Sequence, residues 1–249
     1  SVLATTFTMP AKNVTVTANW KHNGGGSNGG RSTYDASDKD ALIPAPFLPV
    51  YDVDYTAKFA DIANHWAKES INYVVGRELL FGTSETTFAP NTAMTRGMLV
   101  TVLGRLSGAT MSSYKQSGFT DVAADKYYAP YIEWAYKTGI VQGIGNSQFA
   151  PDRAITREEM AAIFANYAKA MGHTLPVTAE AATYADVNRI DSLYETAVTA
   201  MQQAGIMVGD TSNMFCPKAD ATRAEVAAML HRYVKLTIDP ASAGTSVPS

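Results

Sequence analysis

The sequence predicts a mainly α-helical domain built from three helix–loop–helix repeats, and three observations predict it. Single residue types recur in one register: Gly82, Gly143 and Gly209, then Phe88, Phe149 and Phe215, then Pro90, Pro151 and Pro217, then Arg96, Arg157 and Arg223. Each series advances by 61 residues and then by 66. Several residue types held in one register are the signature of an internal repeat. After each arginine comes an apolar stripe at i, i+3, i+4, i+7: Leu99, Val102, Leu103, Leu106; Met160, Ile163, Phe164, Tyr167; and Val226, Met229, Leu230, Tyr233. That is the spacing of one face of an α-helix. The balance of 46% hydrophobic and 17% charged residues belongs to a globular chain rather than a disordered one.

The first helix of each repeat carries a shorter stripe, Ile71, Val74, Leu79, then Ile132, Ala135, Ile140, then Val198, Met201, Ile206. The i, i+3, i+8 spacing reads as a helix face running out into a turn. Gly139 and Gly205 stand where a left-handed helix cap favours glycine. The first repeat has Glu78 there, so its cap is expected to differ. One such repeat has only a narrow apolar face to bury, so the three are expected to form one cooperative domain. The boundaries read as 56–110, 111–173 and 174–236.

Outside the repeats, residues 1–20 include alternating Val14, Val16, Ala18 and Trp20, a half-buried strand pattern. Residues 21–55 hold the Gly/Ser/Asn tract HNGGGSNGGRS and then Pro44, Pro46 and Pro49, a linker composition. Residues 237–249 are expected to be a disordered tail. The chain opens at Ser1 without an initiator Met or a charged and apolar leader, so it is expected to be a fragment or a processed piece of a larger protein.

Thr95, Thr156 and Thr222 are placed as helix N-caps, and Glu159 and Glu225 complete T-x-x-E capping boxes. Met98 leaves the first box incomplete. The arginine after each threonine is not explained by the helix, because a cation at the positive end of the dipole is unfavourable by about 0.3–1 kcal/mol. Besides a long side chain packing its stem on a neighbour, two readings stand open on the residues alone. One is a salt bridge to the repeat's own Asp61, Asp121 or Asp186. The other is an anion site, in which free N–H groups of the helix start and a guanidinium grip a carboxylate or phosphate.

The repeats FADI, HWA, FAP, MTRGM; FTDV, GIVQG, FAP, ITREE; and YADV, GIMVG, FCP, ATRAE resemble the S-layer homology (SLH) family over about 59–235. The resemblance implies a pseudo-threefold spindle with a central helical bundle and grooves between repeats. It implies non-covalent anchoring to the bacterial cell wall through a secondary wall polysaccharide whose terminal sugar carries a pyruvate ketal. It also favours the anion-site reading of Arg96, Arg157 and Arg223. Asp61, Asp121, Asp186, Gly82, Gly143 and Gly209 are expected to line the grooves, and Trp66 and Tyr127 to stack on sugar. Glu78 to Phe81 and the Gly97-Met98 pair depart from the family pattern and put the first repeat's groove in doubt. Residues 1–20 resemble the end of a Listeria–Bacteroides type surface-protein β-repeat.

The expected partner is therefore cell wall polysaccharide, with lateral contacts to other surface-layer proteins as a further class. A net charge of −3 argues against nucleic acid, and no apolar run approaches a membrane span. The four histidines are scattered and Cys216 is solitary, so no metal site, cofactor or catalytic motif is read. The competing readings are a scaffold for protein partners or peptidoglycan, and the anchor of a surface enzyme whose catalytic domain lies upstream.

Overall fold

A computed structural model describes residues 54–114 and 117–238. The strand expected within 1–20, the linker as far as 53 and the tail from 239 lie outside the described residues. Six α-helices follow one another: α1 Lys68–Gly76, α2 Arg96–Ser107, α3 Ala129–Lys137, α4 Arg157–Ala170, α5 Glu195–Gln203 and α6 Arg223–Thr237. The chain is thus mainly helical among the described residues, as the stripes predict. Asp54 and Tyr55, at the end of the predicted linker, are tied to α1: the Tyr55 N–H donates to Asn72 Oδ1 at 3.0 Å and Asn72 donates to Asp54.

Every residue of the six predicted stripes is buried. Each such Leu, Ile or Val contributes about 1.5–3 kcal/mol on burial. The partner of each stripe is not the one a repeat-by-repeat reading suggests. The main helix-on-helix contacts pair α1 with α6, α3 with α2 and α5 with α4. The first helix of each repeat therefore lies on the second helix of the repeat before it, and the first repeat closes onto the last.

The residues just before the threonine caps hold this closure together. The Met94 N–H donates to Ala221 O at 2.8 Å, the Ala221 N–H to Ile155 O at 2.8 Å, and the Ile155 N–H to Met94 O at 2.9 Å. Three chain segments thus form a hydrogen-bonded cycle, and all three residues are fully buried. Buried backbone groups need partners, and here each repeat supplies the next.

The turn after each first helix is the same in all three repeats. Leu79, Ile140 and Ile206 each donate N–H back to the helix, to Val74, Ala135 and Met201. Gly139 and Gly205 have φ of 75° and 70°, and Glu78 takes φ of 57°. The expectation of a different cap in the first repeat is therefore corrected. The tertiary frame imposes one turn, and Glu78 adopts a left-handed conformation that a side chain disfavours. Glu78→Gly is expected to raise stability by about 0.5–1 kcal/mol, because relief of that strain outweighs the added entropy of glycine in the unfolded chain. Chemical denaturation checks it.

The α1–α6 seam contains His231, stacked on Tyr73 at 4.0 Å between ring centroids and 3.1 Å from Ser70 Oγ. Burial, helped by the charges of Lys235, Arg232 and Arg77, pushes His231 down from 6.5 to about 4. The fold therefore excludes the proton that the unfolded chain binds. This contribution is complete above pH 6.5 and is lost as pH falls toward 4. His231→Phe, which keeps the stack, is expected to show a flatter stability profile than the parent across that window. Melting temperatures measured in parallel from pH 7 to about 4 check it.

Candidate functional site

The loop carrying each Phe-x-Pro triplet is the element from which the site is built. Ala89, Ala150 and Cys216, between the Phe and the Pro, have φ of 58°, 56° and 55°. These are strained positions for residues with a side chain, and a carboxylate of the same repeat holds each one. Asp61 accepts from the N–H groups of Phe88 (3.1 Å) and Ala89 (2.7 Å). Asp121 accepts from Phe149 (2.9 Å) and Ala150 (2.7 Å). Asp186 accepts from Phe215 and Cys216, both at 2.8 Å. The recurrent aspartates therefore act on backbone, and none forms a salt bridge with its repeat's arginine.

The recurrent glycines are explained at the same place. A Cβ on Gly82 would lie 2.5 Å from the Phe59 ring, one on Gly143 2.7 Å from Phe119, and one on Gly209 2.7 Å from Tyr184. The aromatic residue that opens each repeat packs directly on the glycine backbone.

Each arginine reaches across to the loop of the following repeat. Arg96 Nε donates to Phe149 O at 2.9 Å, Arg157 Nε to Phe215 O at 2.8 Å, and Arg223 Nε to Phe88 O at 3.0 Å. A second guanidinium nitrogen, Nη2, donates to the carbonyls of Gln142, Val208 and Phe81 in turn. The guanidinium carbon lies over the ring of the same Phe, at 4.6, 5.2 and 4.5 Å. One cation thus satisfies two backbone carbonyls and gains a cation–π contact.

The helix starts are not open. The N–H groups of Arg96, Arg157 and Arg223 donate to the carbonyls of Arg153, Ala219 and Thr92, and those of Gly97, Glu158 and Ala224 to Pro151, Pro217 and Pro90. The third N–H is taken by the capping threonine. The expectation of free N–H groups for an anion is therefore corrected. The neighbouring repeat occupies the first two and the capping threonine the third, so these N–H groups are not open to an anion.

Two of the three arginines have an acid partner, which is the capping-box glutamate of the following repeat. Glu159 Oε1 lies 3.6 Å from Arg96 Nη1, and Glu225 Oε1 pairs with Arg157 Nη1. The other oxygen of each glutamate performs the cap, accepting from the Thr156 N–H at 3.1 Å and the Thr222 N–H at 2.7 Å. Sequence reasoning gave these glutamates the cap alone and missed the counter-ion role, because the arginine partner lies 63 or 68 residues away. Burial opposes ionisation of Glu159, but the hydrogen bonds of Arg153 and Thr156 and the charges of Arg153 and Arg96 hold its carboxyl below the ordinary value.

Trp66, Tyr127 and Leu193, equivalent in the three repeats, are all exposed, at 65%, 55% and 76%. Trp66 stands at the edge of a cavity of about 890 Å³ whose wall includes Arg157, Val208, Gly209, Asp220 and Glu225. This groove takes its arginine from the second repeat, its loop from the third and its aromatic residue from the first. Tyr127 stands correspondingly within electrostatic reach of Arg223. The structure therefore gathers Trp66, Arg157 and Gly209 at one cavity, while Asp61, Asp121 and Asp186 support the loops.

A closed set of interlocking helical repeats, with a cavity where Arg157, the third repeat's loop and Trp66 meet, defines the class as a tandem-repeat module. The S-layer homology domain model matches residues 58–97, 118–161 and 183–227, together just over half of the chain, and the chain belongs to that family. It is 32% identical over 216 residues to the amylopullulanase of Thermoanaerobacterium thermosulfurigenes, a match covering 86% of this chain and 11% of that protein. It is 32% identical over 173 residues to exoglucanase XynX of Acetivibrio thermocellus, covering 70% of this chain and 16% of that one. It is 28% identical over 178 residues to an S-layer protein of Bacillus thuringiensis subsp. finitimus, covering 71% and 21%. The chain thus spans less than a quarter of the length of each of these relatives. As an SLH module it is a cell-wall anchoring unit of the bacterial cell surface.

The aspartates differ in burial: Asp186 is 3% exposed, Asp121 half-buried and Asp61 exposed. Asp→Asn leaves one of the two N–H groups without its charged acceptor. The expected cost is about 2–3 kcal/mol at Asp186 and falls to about 1 kcal/mol at Asp61. Equal costs at the two sites would contradict the loop-holding role.

Proposed function

We propose that this module binds an acidic secondary wall polysaccharide, carrying a carboxylate such as a pyruvate ketal, in the grooves between its repeats. The observation that carries this reading is the cavity at Arg157, where a large exposed indole faces a wall that sets charged side chains such as Arg157 and Glu225 beside the apolar Met207, Met214 and Met229. An exposed Trp with no core to fill is suited to stacking on a sugar face. The arginines supply charge-assisted donors, and three grooves on one chain allow avidity. Among the ligand-binding residues proposed, Trp66, Tyr127, Arg96, Arg157 and Arg223 contact the glycan. Asp61, Asp121, Asp186, Gly82, Gly143 and Gly209 hold the groove walls. The enzymes among the relatives share with this chain a segment of 11% or 16% of their length. We assign anchoring and no catalysis to the corresponding segment here.

Arginine-to-alanine variants are poor tests, because each removes two hydrogen bonds between repeats. The exposed aromatic residues are better ones. The double variant Trp66→Ala/Tyr127→Ala is expected to melt within a few degrees of the parent and to lose binding to isolated cell walls by at least about tenfold, the effect of losing about 1.4 kcal/mol. Walls stripped of their polysaccharide are expected not to retain the parent chain. Full retention by stripped walls would favour a peptidoglycan or protein ligand instead.

A further inference from the structure

The three junctions share one helix-on-helix plan but not one chemistry. Gly104, Ala165 and His231 occupy the same register position on α2, α4 and α6, at the 61- and 66-residue steps. Gly104 packs under the Tyr131 ring of α3, where a Cβ would lie 2.3 Å from it. Only at the junction of the third repeat with the first does this position carry a titratable ring. There His231 stacks on Tyr73 of α1 at 4.0 Å, and its Nδ1 lies 3.1 Å from Ser70 Oγ. Its Nε2 is buried and meets no hydrogen-bond partner among the described residues.

Protonation gives both ring nitrogens an N–H and the ring a charge. One of those N–H groups then faces no acceptor, which is costly inside a packed seam. The charges that act on the ring are those of Lys235 and Arg232 on α6 and Arg77 on α1, all of one sign. Burial and these charges bring His231 down to about 4. His173, the other histidine that burial pushes down, contacts Tyr233 and Tyr167, so it does not select this junction.

The same junction lacks a latch that the other two have. Arg96 and Glu159 tie the first repeat to the second, and Arg157 and Glu225 tie the second to the third. Met98 stands at the register position of those glutamates and carries no charge to answer Arg223. The latch at Glu159 resists acid: against the cost of burial, the hydrogen bonds of Arg153 and Thr156 and the charges of Arg153 and Arg96 hold its carboxyl below the ordinary value. α1 packs on α6 and on no other α-helix to a comparable extent. With 9 residues it is too short to persist in water without that partner.

We propose that this junction is an acid-operated gate: protonation of His231 parts α1 from α6 while the α2–α3 and α4–α5 pairs stay closed. Trp66 directly precedes α1, so opening removes the first repeat's side of the cavity at Arg157. Release from the wall on acidification rests on the wall-polysaccharide reading above, and the opening itself does not depend on it.

Backbone hydrogen exchange of the full chain at pH 7 and pH 4.5, with rates corrected for the intrinsic effect of pH, tests the gate. A group that titrates at 6.5 when open and at about 4 when closed raises the open fraction at α1 about fiftyfold over this interval. α3 and α5 are expected to keep their protection. His231→Phe, which keeps the stack, is expected to abolish the difference between α1 and the other helices. Equal loss across α1, α3 and α5 is global unfolding and overturns the gate, as does unchanged exchange at α1. Both outcomes are read on the parent chain, so they stand even where the variant fails to fold. Retention on isolated walls, measured in parallel, is expected to fall at pH 4.5 in the parent and to persist in His231→Phe. A fall of equal size in both overturns the link between gate and release. A parent chain that binds walls at neither pH removes the anchoring reading, and the exchange result still decides the gate.

Discussion

Each junction between repeats rests on one hydrogen-bonded peptide segment held from both sides. The Phe of each Phe-x-Pro loop gives its N–H to an aspartate of its own repeat and its carbonyl to an arginine of the repeat before it. The loop backbone is strained at the following residue and is stable only because both ends are held. The same arginine also packs on the Phe ring, so hydrophobic burial, charge and backbone satisfaction converge on one residue per repeat. Loss of either partner leaves buried polar groups without partners, which costs more than the bond itself contributed.

This arrangement makes the repeats interdependent. A single repeat would expose the stripe of its first helix, because the helix that covers it belongs to the preceding repeat. It would also leave its helix-start N–H groups unsatisfied, because the next repeat's loop accepts them. The cavity at Arg157 arises from the same interlocking. It draws its arginine, loop and exposed aromatic residue from different repeats, so it does not exist before the cycle closes. Cavity and fold are therefore consequences of one set of contacts.

Within that frame, the charge around each arginine is adjustable where the frame has spare atoms. A capping glutamate has two oxygens and the cap uses one, leaving the other for the neighbouring arginine. Replacing the glutamate by methionine removes a cap bond and a counter-charge together while leaving the backbone in place. A change in one repeat thus alters the electrostatics around an arginine that lies in another.

The sequence by itself determined the repeat, its register, the six helices and the capping threonines, because periodicity and capping are local properties of consecutive residues. It also singled out the arginines and glycines as sets, since each recurs at steps of 61 and 66, and the aspartates as a set at steps of 60 and 65. What those sets do was not legible in it. Gly82, Gly143 and Gly209 answer to an aromatic ring more than 20 residues earlier in the chain, and Glu159 and Glu225 answer to an arginine one repeat before them. Only the tertiary structure decided that α1 lies on α6, that Glu78 accepts a glycine's conformation, and that Arg223 rather than Arg96 faces the missing glutamate. The physical reason is common to all of these. Periodicity states which residues must be buried or satisfied, and closure of the chain into a cycle selects the neighbour that satisfies them.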